Sequence, residues 1–343
     1  MFMKIMFILI SLVFLASCGG KEKSRPGAAT PATIGTDGTM RLIQTMPLQN
    51  VSGRIDHLSV DVKGQRLFVA ALGNNTVEVL DLRTGKIIHS ISALSEPQSA
   101  LFIPALDKLY VTNGGNGVCE IFDGRSFAKL GRVELAGDAD NLRYDSNSAS
   151  VIVGYGNGGL SSIAGENGKV VSNLKLDGHP ESFQLESSGS KLFVNIPSAN
   201  EIAVVDRRQQ KVVSTWSLAT ALANFPMALD ESQHRLFVGF RLPAKLTIYD
   251  TETGKSIASL DSVGDVDDIF YDATHKLIFV IGGEGYIDIF SQQDMDQYEL
   301  LTRIPTATGA RTGLWVPELN RLYVAVPHQG RQEAEIQVYE LRP

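Results

Sequence analysis

Cysteine is scarce in this chain, with Cys18 and Cys119 as its two cysteines among 343 residues. They allow at most one internal disulfide, which excludes a small fold held together by several disulfides. Cys119 falls at an apolar strand position, where we expect a buried, unreactive thiol. Basic residues are outnumbered too, 31 Lys and Arg against 38 Asp and Glu. This balance argues against nucleic-acid binding, which needs a clustered basic surface.

One long hydrophobic run is present, at the N-terminus, where Lys4 precedes an apolar stretch from Ile5 to Ala16. It is too short to cross a membrane as a mature helix and is typical of a signal peptide. Leu15-Ala16-Ser17-Cys18 resembles the bacterial lipobox, which implies cleavage before Cys18 and lipidation of its sulfur. We therefore predict a lipoprotein signal peptide over 1–17. The alternative is an ordinary secretory signal with an incidental cysteine.

The segment 18–39 has few large apolar residues, so we expect a flexible tether between the lipid and the folded part. Lipidation implies that the protein is anchored to a membrane of the cell envelope through Cys18. Gly19 stands where Asp would imply retention at the inner membrane. In a bacterium with two membranes, the resemblance therefore implies the periplasm-facing outer membrane.

A repeated strand pattern fills the rest of the chain. An apolar strand centred on Phe68, Tyr110, Ile152, Phe193, Phe237, Phe279 and Tyr323 recurs at intervals of 41 to 44 residues. Each repeat adds turn residues and an alternating strand, without the 3.6-residue periodicity of a helix. Repeats of this length with four short strands are typical of a β-propeller. Repeat three departs most, with Leu160-Ser161-Ser162-Ile163-Ala164 in place of the alternating strand.

The last repeat lacks a fourth strand, and 40–48 form a spare strand before the first repeat. We predict an all-β fold over 40–343: a seven-bladed propeller with four-stranded antiparallel blades, closed by this N-terminal strand. At Tyr110-Val111-Thr112-Asn113 the sequence contains the motif that names the YVTN-repeat family, and the turn-rich repeats resemble those YncE-like propellers throughout. The resemblance implies the fold, whereas propellers of this kind serve as binding surfaces, scaffolds and enzymes.

Polar residues gather where the repeat register brings the first strands to one mouth of the central channel. The predicted set comprises Asp56, His57, Gln98, Asp140, Asn141, His179, Glu181, Asp267, Asp268 and Arg311, with His328 in a loop of the last repeat on the same face. These residues differ between repeats while the strand residues recur, which favours a binding site. The alternative is a hydrated ring in which Arg311 pairs with Asp56 or Asp267.

Carboxylate and amide oxygens are the preferred ligands of a hard divalent cation such as calcium. The metal-binding candidates are Asp56, Asp140, Glu181 and Asp267. A histidine-rich copper or zinc site is less favoured, because three histidines are expected on this face.

These features predict a monomeric, lipid-anchored and non-enzymatic binding protein that holds a small polar ligand, a cation or a protein partner at the channel mouth. The alternative is a metal-dependent, lactonase-like hydrolase in which Asp140, Glu181 or Asp267 acts with His57 as acid and base. The sequence contains no Gly-x-Ser-x-Gly, His-Glu-x-x-His or catalytic cysteine pattern to support the hydrolase.

Overall fold

The computed structural model describes residues 39–218 and 220–342, which form seven four-stranded sheets. Every strand pairing within the sheets is antiparallel, so the all-β, seven-bladed propeller is confirmed. The predicted signal peptide over 1–17, Cys18 and all of the tether except Thr39 lie outside the described residues. Within the described part of the chain, no helix combines the length and the apolar character that a membrane span requires.

The first three blades each run from an inner to an outer strand in chain order. Their strands are β2 (Leu58–Asp61), β3 (Arg66–Ala71), β4 (Thr76–Asp81) and β5 (Lys86–Ile91); β6 (Pro97–Ile103), β7 (Lys108–Asn113), β8 (Val118–Asp123) and β9 (Lys129–Glu134); β10 (Ala139–Asp145), β11 (Ser150–Tyr155), β12 (Gly159–Ala164) and β13 (Val170–Lys175). The atypical repeat three therefore still forms a complete blade.

Blades four to six follow the same order. Their strands are β14 (Phe183–Leu185), β15 (Lys191–Ile196), β16 (Glu201–Asp206) and β17 (Lys211–Ser217); β18 (Leu222–Asp230), β19 (Arg235–Leu242), β20 (Ala244–Asp250) and β21 (Ser256–Asp261); β22 (Val266–Asp272), β23 (Leu277–Gly282), β24 (Tyr286–Gln292) and β25 (Tyr298–Pro305). Three 3₁₀ turns complete the regular structure: Leu72–Asn74, Pro197–Ala199 and Pro317–Leu319.

Blade seven joins the two ends of the chain. It contains β26 (Thr312–Val316), β27 (Arg321–Val326), β28 (Glu335–Leu341) and, as its outer strand, β1 (Met40–Pro47). Met46 opposes Ile336 in the β1–β28 pairing, and both side chains are fully buried. The predicted closing strand is thus confirmed. Because the described residues supply every strand of every blade, the ring needs no residue before Thr39 to close.

The core consists of seven apolar clusters, each formed between two neighbouring blades. The central residue of each second strand faces the next blade, as where Phe68 stacks on Phe102 with ring centroids 5.5 Å apart. Each blade needs its neighbours to cover its apolar faces, so the ring stabilises itself as a whole. This packing holds the first strands around the central channel.

Candidate functional site

The starts of the first strands converge on one mouth of the channel and enclose a cavity of about 330 Å³. Six residues of the predicted set line this mouth cavity: Gln98, Asp140, His179, Glu181, Asp267 and Arg311. The register of the repeats therefore brought together side chains that are up to 213 positions apart in the sequence. This space is the mouth cavity.

Other members of the predicted set lie elsewhere. His57, Asn141 and Asp268 line a separate channel cavity of about 360 Å³, which Asp267 also borders. Asp56 is 1% exposed and is not part of either cavity lining. The half-buried His328 likewise lines neither cavity.

An arginine cluster surrounds Asp267 on one side of the mouth cavity. Arg241 donates from Nη2 to Oδ1 of Asp267 over 2.6 Å, and Arg311 places Nε 2.9 Å from Oδ2. Arg54 approaches the same oxygen at 3.8 Å. The predicted pairing of Arg311 with Asp267 is thus present. Burial raises the pKa of Asp267, although the three arginines oppose this shift.

An acidic and imidazole triad forms another part of the same lining. One ligand atom from each of Asp140, His179 and Glu181 lies within 4.8 Å of the others. Nε2 of His179 is 3.4 Å from Oδ2 of Asp140, while Nδ1 donates to the carbonyl oxygen of Gly156 over 2.6 Å. The Gly156 carbonyl therefore orients the ring so that Nε2 faces the carboxylates.

The triad changes the protonation of its own members. Burial, followed by the charge of Asp140, raises the pKa of Glu181 to about 7. Burial alone would lower the pKa of His179, but Asp140, the Gly156 carbonyl and Glu181 together raise it to about 9. Two carboxylates beside an imidazole stabilise a positive charge, which a proton or a bound metal ion can supply.

His57 belongs to the channel cavity, where its Nδ1 lies 3.4 Å from Asp268 and its Nε2 lies 3.0 Å from Nδ2 of Asn141. Arg143 donates to Oδ1 of Asn141, which leaves Nδ2 facing His57 as a donor. Burial lowers the pKa of His57, and the neighbouring Asp268 outweighs it and raises the pKa to about 10. The carboxylates of Asp268, Asp56 and Asp140 thus favour the charged ring, although the donor Nδ2 of Asn141 opposes it.

Two arginines of the mouth cavity were absent from the predicted set. Arg54 stands two residues before Asp56 and donates to it over 2.8 Å. Arg241 is carried by β19, which has eight residues where the other second strands have six. Its guanidinium stacks over the ring of Phe225 at 3.7 Å. The unusual length of this strand, on the loop side that faces the mouth, is the sequence signal that was missed.

The chain matches no known protein family model. It is similar to the uncharacterized protein YncE of Salmonella typhimurium and to that of Salmonella typhi. Each is 20% identical over 240 residues, which cover 65% of this chain and 67% of the relative.

Solved structures share the fold at low sequence identity. A chain of hydrazine synthase from Kuenenia stuttgartiensis has a TM-score of 0.73 and 16% identity, covering 84% of this chain and 97% of that one. A chain of the mitotic checkpoint complex has a TM-score of 0.73 and 15% identity, covering 98% of this chain and 100% of that one. At such identities these likenesses show the fold alone. Together with the weak similarity to YncE, the seven-bladed architecture fits a YncE-like propeller.

Proposed function

We propose that the protein is a non-enzymatic binding protein, held at the bacterial cell envelope by a lipid on Cys18. Its mouth cavity binds a divalent cation together with a small ligand that carries an anionic group. The observation behind this proposal is that the triad of Asp140, His179 and Glu181 shares one cavity with the arginine cluster.

The donor atoms of the triad suit a transition metal. An imidazole nitrogen and two carboxylate oxygens are ligands of zinc, and a ligating histidine commonly donates its other N–H to a carbonyl. The bond from His179 to Gly156 has this form. Calcium prefers oxygen ligands throughout, and two of the residues first considered for it, Asp56 and Asp267, face arginines. The structure therefore favours zinc-like ions over calcium.

The arginine cluster supplies the second half of the site. A zinc ion held by three protein side chains keeps an open coordination position, which a bound small molecule can occupy. Arg241 uses Nε for the carbonyl oxygen of Val266 and Nη2 for Asp267. Arg311 uses Nη1 for Asp265 and Nε for Asp267. Nη1 of Arg241 and Nη2 of Arg311 make no hydrogen bond within the described residues, so they remain able to donate to a carboxylate or phosphate. The cavity size suits a small molecule.

Calorimetric titration of residues 39–343 with zinc chloride and with calcium chloride tests the cation. We expect zinc to bind at least about tenfold more tightly than calcium. Asp140→Asn and His179→Gln should abolish zinc binding. Glu96→Gln, which changes another carboxylate of the same cavity, and His328→Gln should leave it intact. Unchanged zinc affinity in Asp140→Asn would show that the triad is not the site.

The hydrolase alternative draws on the same triad, because a catalytic zinc also keeps an open position and activates water there. His57, which that mechanism needed beside the acids, lies in the channel cavity and faces Asn141 and Asp268. A lactone-hydrolysis assay with zinc-loaded protein separates the two functions. Turnover that disappears with chelator and in Asp140→Asn would establish the hydrolase, and absence of turnover supports the binding protein.

The membrane anchor is tested in cells. Wild-type protein should remain with membranes through a carbonate wash and incorporate a labelled fatty acid. Cys18→Ser should abolish the labelling, whereas the matched variant Cys119→Ser should keep it. Labelling of Cys18→Ser would overturn the assignment of the lipidated residue.

A further inference from the structure

A third cavity, of about 430 Å³, lies between blades three and four. It shares no lining residue with the mouth cavity. Asn147 and Ser148 of the β10–β11 turn and Gln210 of the β16–β17 turn form part of its lining. These turns lie on the face of the ring opposite the channel mouth, since they connect the other ends of the strands.

The cavity exists because blade three carries smaller residues than the other blades at two paired positions. Six blades pair an aromatic residue of the second strand with a β-branched residue of the third. These pairs are Phe68–Val79, Tyr110–Ile121, Phe193–Val204, Phe237–Ile248, Phe279–Ile289 and Tyr323–Val338. Blade three pairs Ile152 with Ser162.

Both positions face blade four. Ile152 packs in the cluster that contains Phe183 and Leu192 of that blade, and directly opposed residues of an antiparallel pair share one face of the sheet. Ser162 in turn opposes Ser172 of the outer strand. The row Ile152–Ser162–Ser172 therefore leaves space where the other blades fill the interface. The gap is a cleft that opens to solvent, because Val171 and Gln210 of its lining are exposed.

The lining consists of an apolar floor and, beside it, the hydroxyl groups of serine side chains. Ile152, Leu160, Leu192 and Val205 supply the floor, each at most 6% exposed. The hydroxyls of Ser162 and Ser172 make no hydrogen bond within the described residues, which leaves both able to donate and accept.

The two buried charges at this cavity compensate each other. Nη1 of Arg207 lies 2.6 Å from Oδ2 of Asp145, and the two side chains are 11% and 8% exposed. Arg207 also donates to the carbonyl oxygen of Gly189. Arg208 lines the cavity as an exposed residue. A buried charge on the ligand would therefore find no free partner at the floor, so the site suits an uncharged molecule.

We infer that the cleft between blades three and four binds an uncharged amphipathic small molecule, with its apolar part on the Ile152 floor and its hydroxyl or carbonyl groups on Ser162 and Ser172. This site is independent of the mouth cavity, and its ligand class differs from the anionic ligand proposed there.

Calorimetric titration of residues 39–343 with n-hexyl β-D-glucoside, kept below its micelle concentration, tests the inference. We expect saturable binding at one site per chain, while glucose and hexanoate, which lack the apolar part or carry a charge, should not bind. Absence of saturable binding by the glucoside overturns the proposal.

Refilling the gap tests the location. Ile152→Phe combined with Ser162→Val restores the pair found in the other blades and should abolish glucoside binding. Ser162→Val alone is the milder variant and should weaken binding by about tenfold or more. Ser214→Val, at the position of blade four equivalent to Ser172, should bind as the wild type does. Wild-type affinity in a refilled variant that keeps its melting temperature and its zinc binding overturns the assignment.

Discussion

Arg241 and Asp267 form an ion pair in which Nη2 and Oδ1 are 2.6 Å apart, with side chains 20% and 10% exposed. Asp267 also faces Arg311 and Arg54. Asp267→Asn should therefore leave three guanidinium groups around an uncharged centre and lower the free energy of unfolding by about 2–4 kcal/mol. Arg241→Met should cost only about 1 kcal/mol, because two arginines still face the carboxylate. Urea denaturation followed by fluorescence measures both.

A surface ion pair provides the control for this comparison. Arg41 and Glu340 are 3.6 Å apart with side chains 57% and 37% exposed, so Arg41→Met should change the unfolding free energy by less than about 0.5 kcal/mol. Equal losses in Arg241→Met and Asp267→Asn would contradict the central role of the aspartate.

Asp56 should make stability depend on pH. Burial raises the pKa of Asp56 to about 7, against the opposing charges of His57 and Arg54. The folded state then keeps a proton that the unfolded chain loses near pH 4, so this group's contribution to wild-type stability falls as pH rises from about 4 to about 7. Asp56→Asn should gain stability relative to the wild type across this window, with a slope of up to about 1.4 kcal/mol per pH unit.

Denaturation curves at several pH values, in the presence of chelator, measure this difference. Asp81→Asn is the control, because hydrogen bonds from Arg83 and Thr84 lower the pKa of Asp81 to about 2. The stabilisation from a lowered carboxyl pKa is complete above its unfolded value, so this variant should differ from the wild type by a constant amount between about pH 5 and pH 8. A constant difference for Asp56→Asn as well would disprove the assigned titration.

The closing strand should be essential for stability. Met46 is fully buried among residues of blades one and seven, so Met46→Ala should lower the unfolding free energy by about 2–4 kcal/mol. Leu42 lies on the same strand but is 47% exposed, and Leu42→Ala should cost less than about 1 kcal/mol. Similar effects of the two substitutions on chemical denaturation would indicate that β1 does not close the ring in solution.

Cys119 should be unreactive in the folded protein. Its thiol is fully buried, and burial raises its pKa to about 12, so almost no thiolate forms at pH 8. A thiol reagent should label residues 39–343 once per chain in denaturant and only very slowly without it. Rapid labelling under native conditions would show that the interface between blades two and three opens readily.

Much of the fold can be predicted from the sequence, because the residue pattern that marks a strand is local. Alternating apolar residues and turn residues locate the second strands at a regular interval, and each apolar face requires a neighbouring blade. The spare strand before the first repeat then has one unpaired partner, β28, and the structure pairs it with that strand. These inferences need only the order and polarity of the residues.

The division of the candidate site into two cavities could not be predicted from the sequence, because it depends on irregularities at the starts of the first strands. The pairing shifts between Val266 and Asp268, and Asp267 reaches the mouth cavity while Asp268 does not. A similar shift follows Ala139. Such bulges redirect single side chains, and no residue type marks them in advance.

By itself, the sequence determined which residues form strands and that seven blades must close, since hydrophobic alternation and repeat length leave little other way to bury the apolar faces. It also predicted that Asp140, Glu181 and His179 belong to the channel mouth. Only the tertiary structure decided that Arg241 neutralises Asp267 and that the interface beside Ile152 stays partly open. Both depend on how neighbouring blades pack against each other, and the distances between their side chains arise only when the ring is assembled.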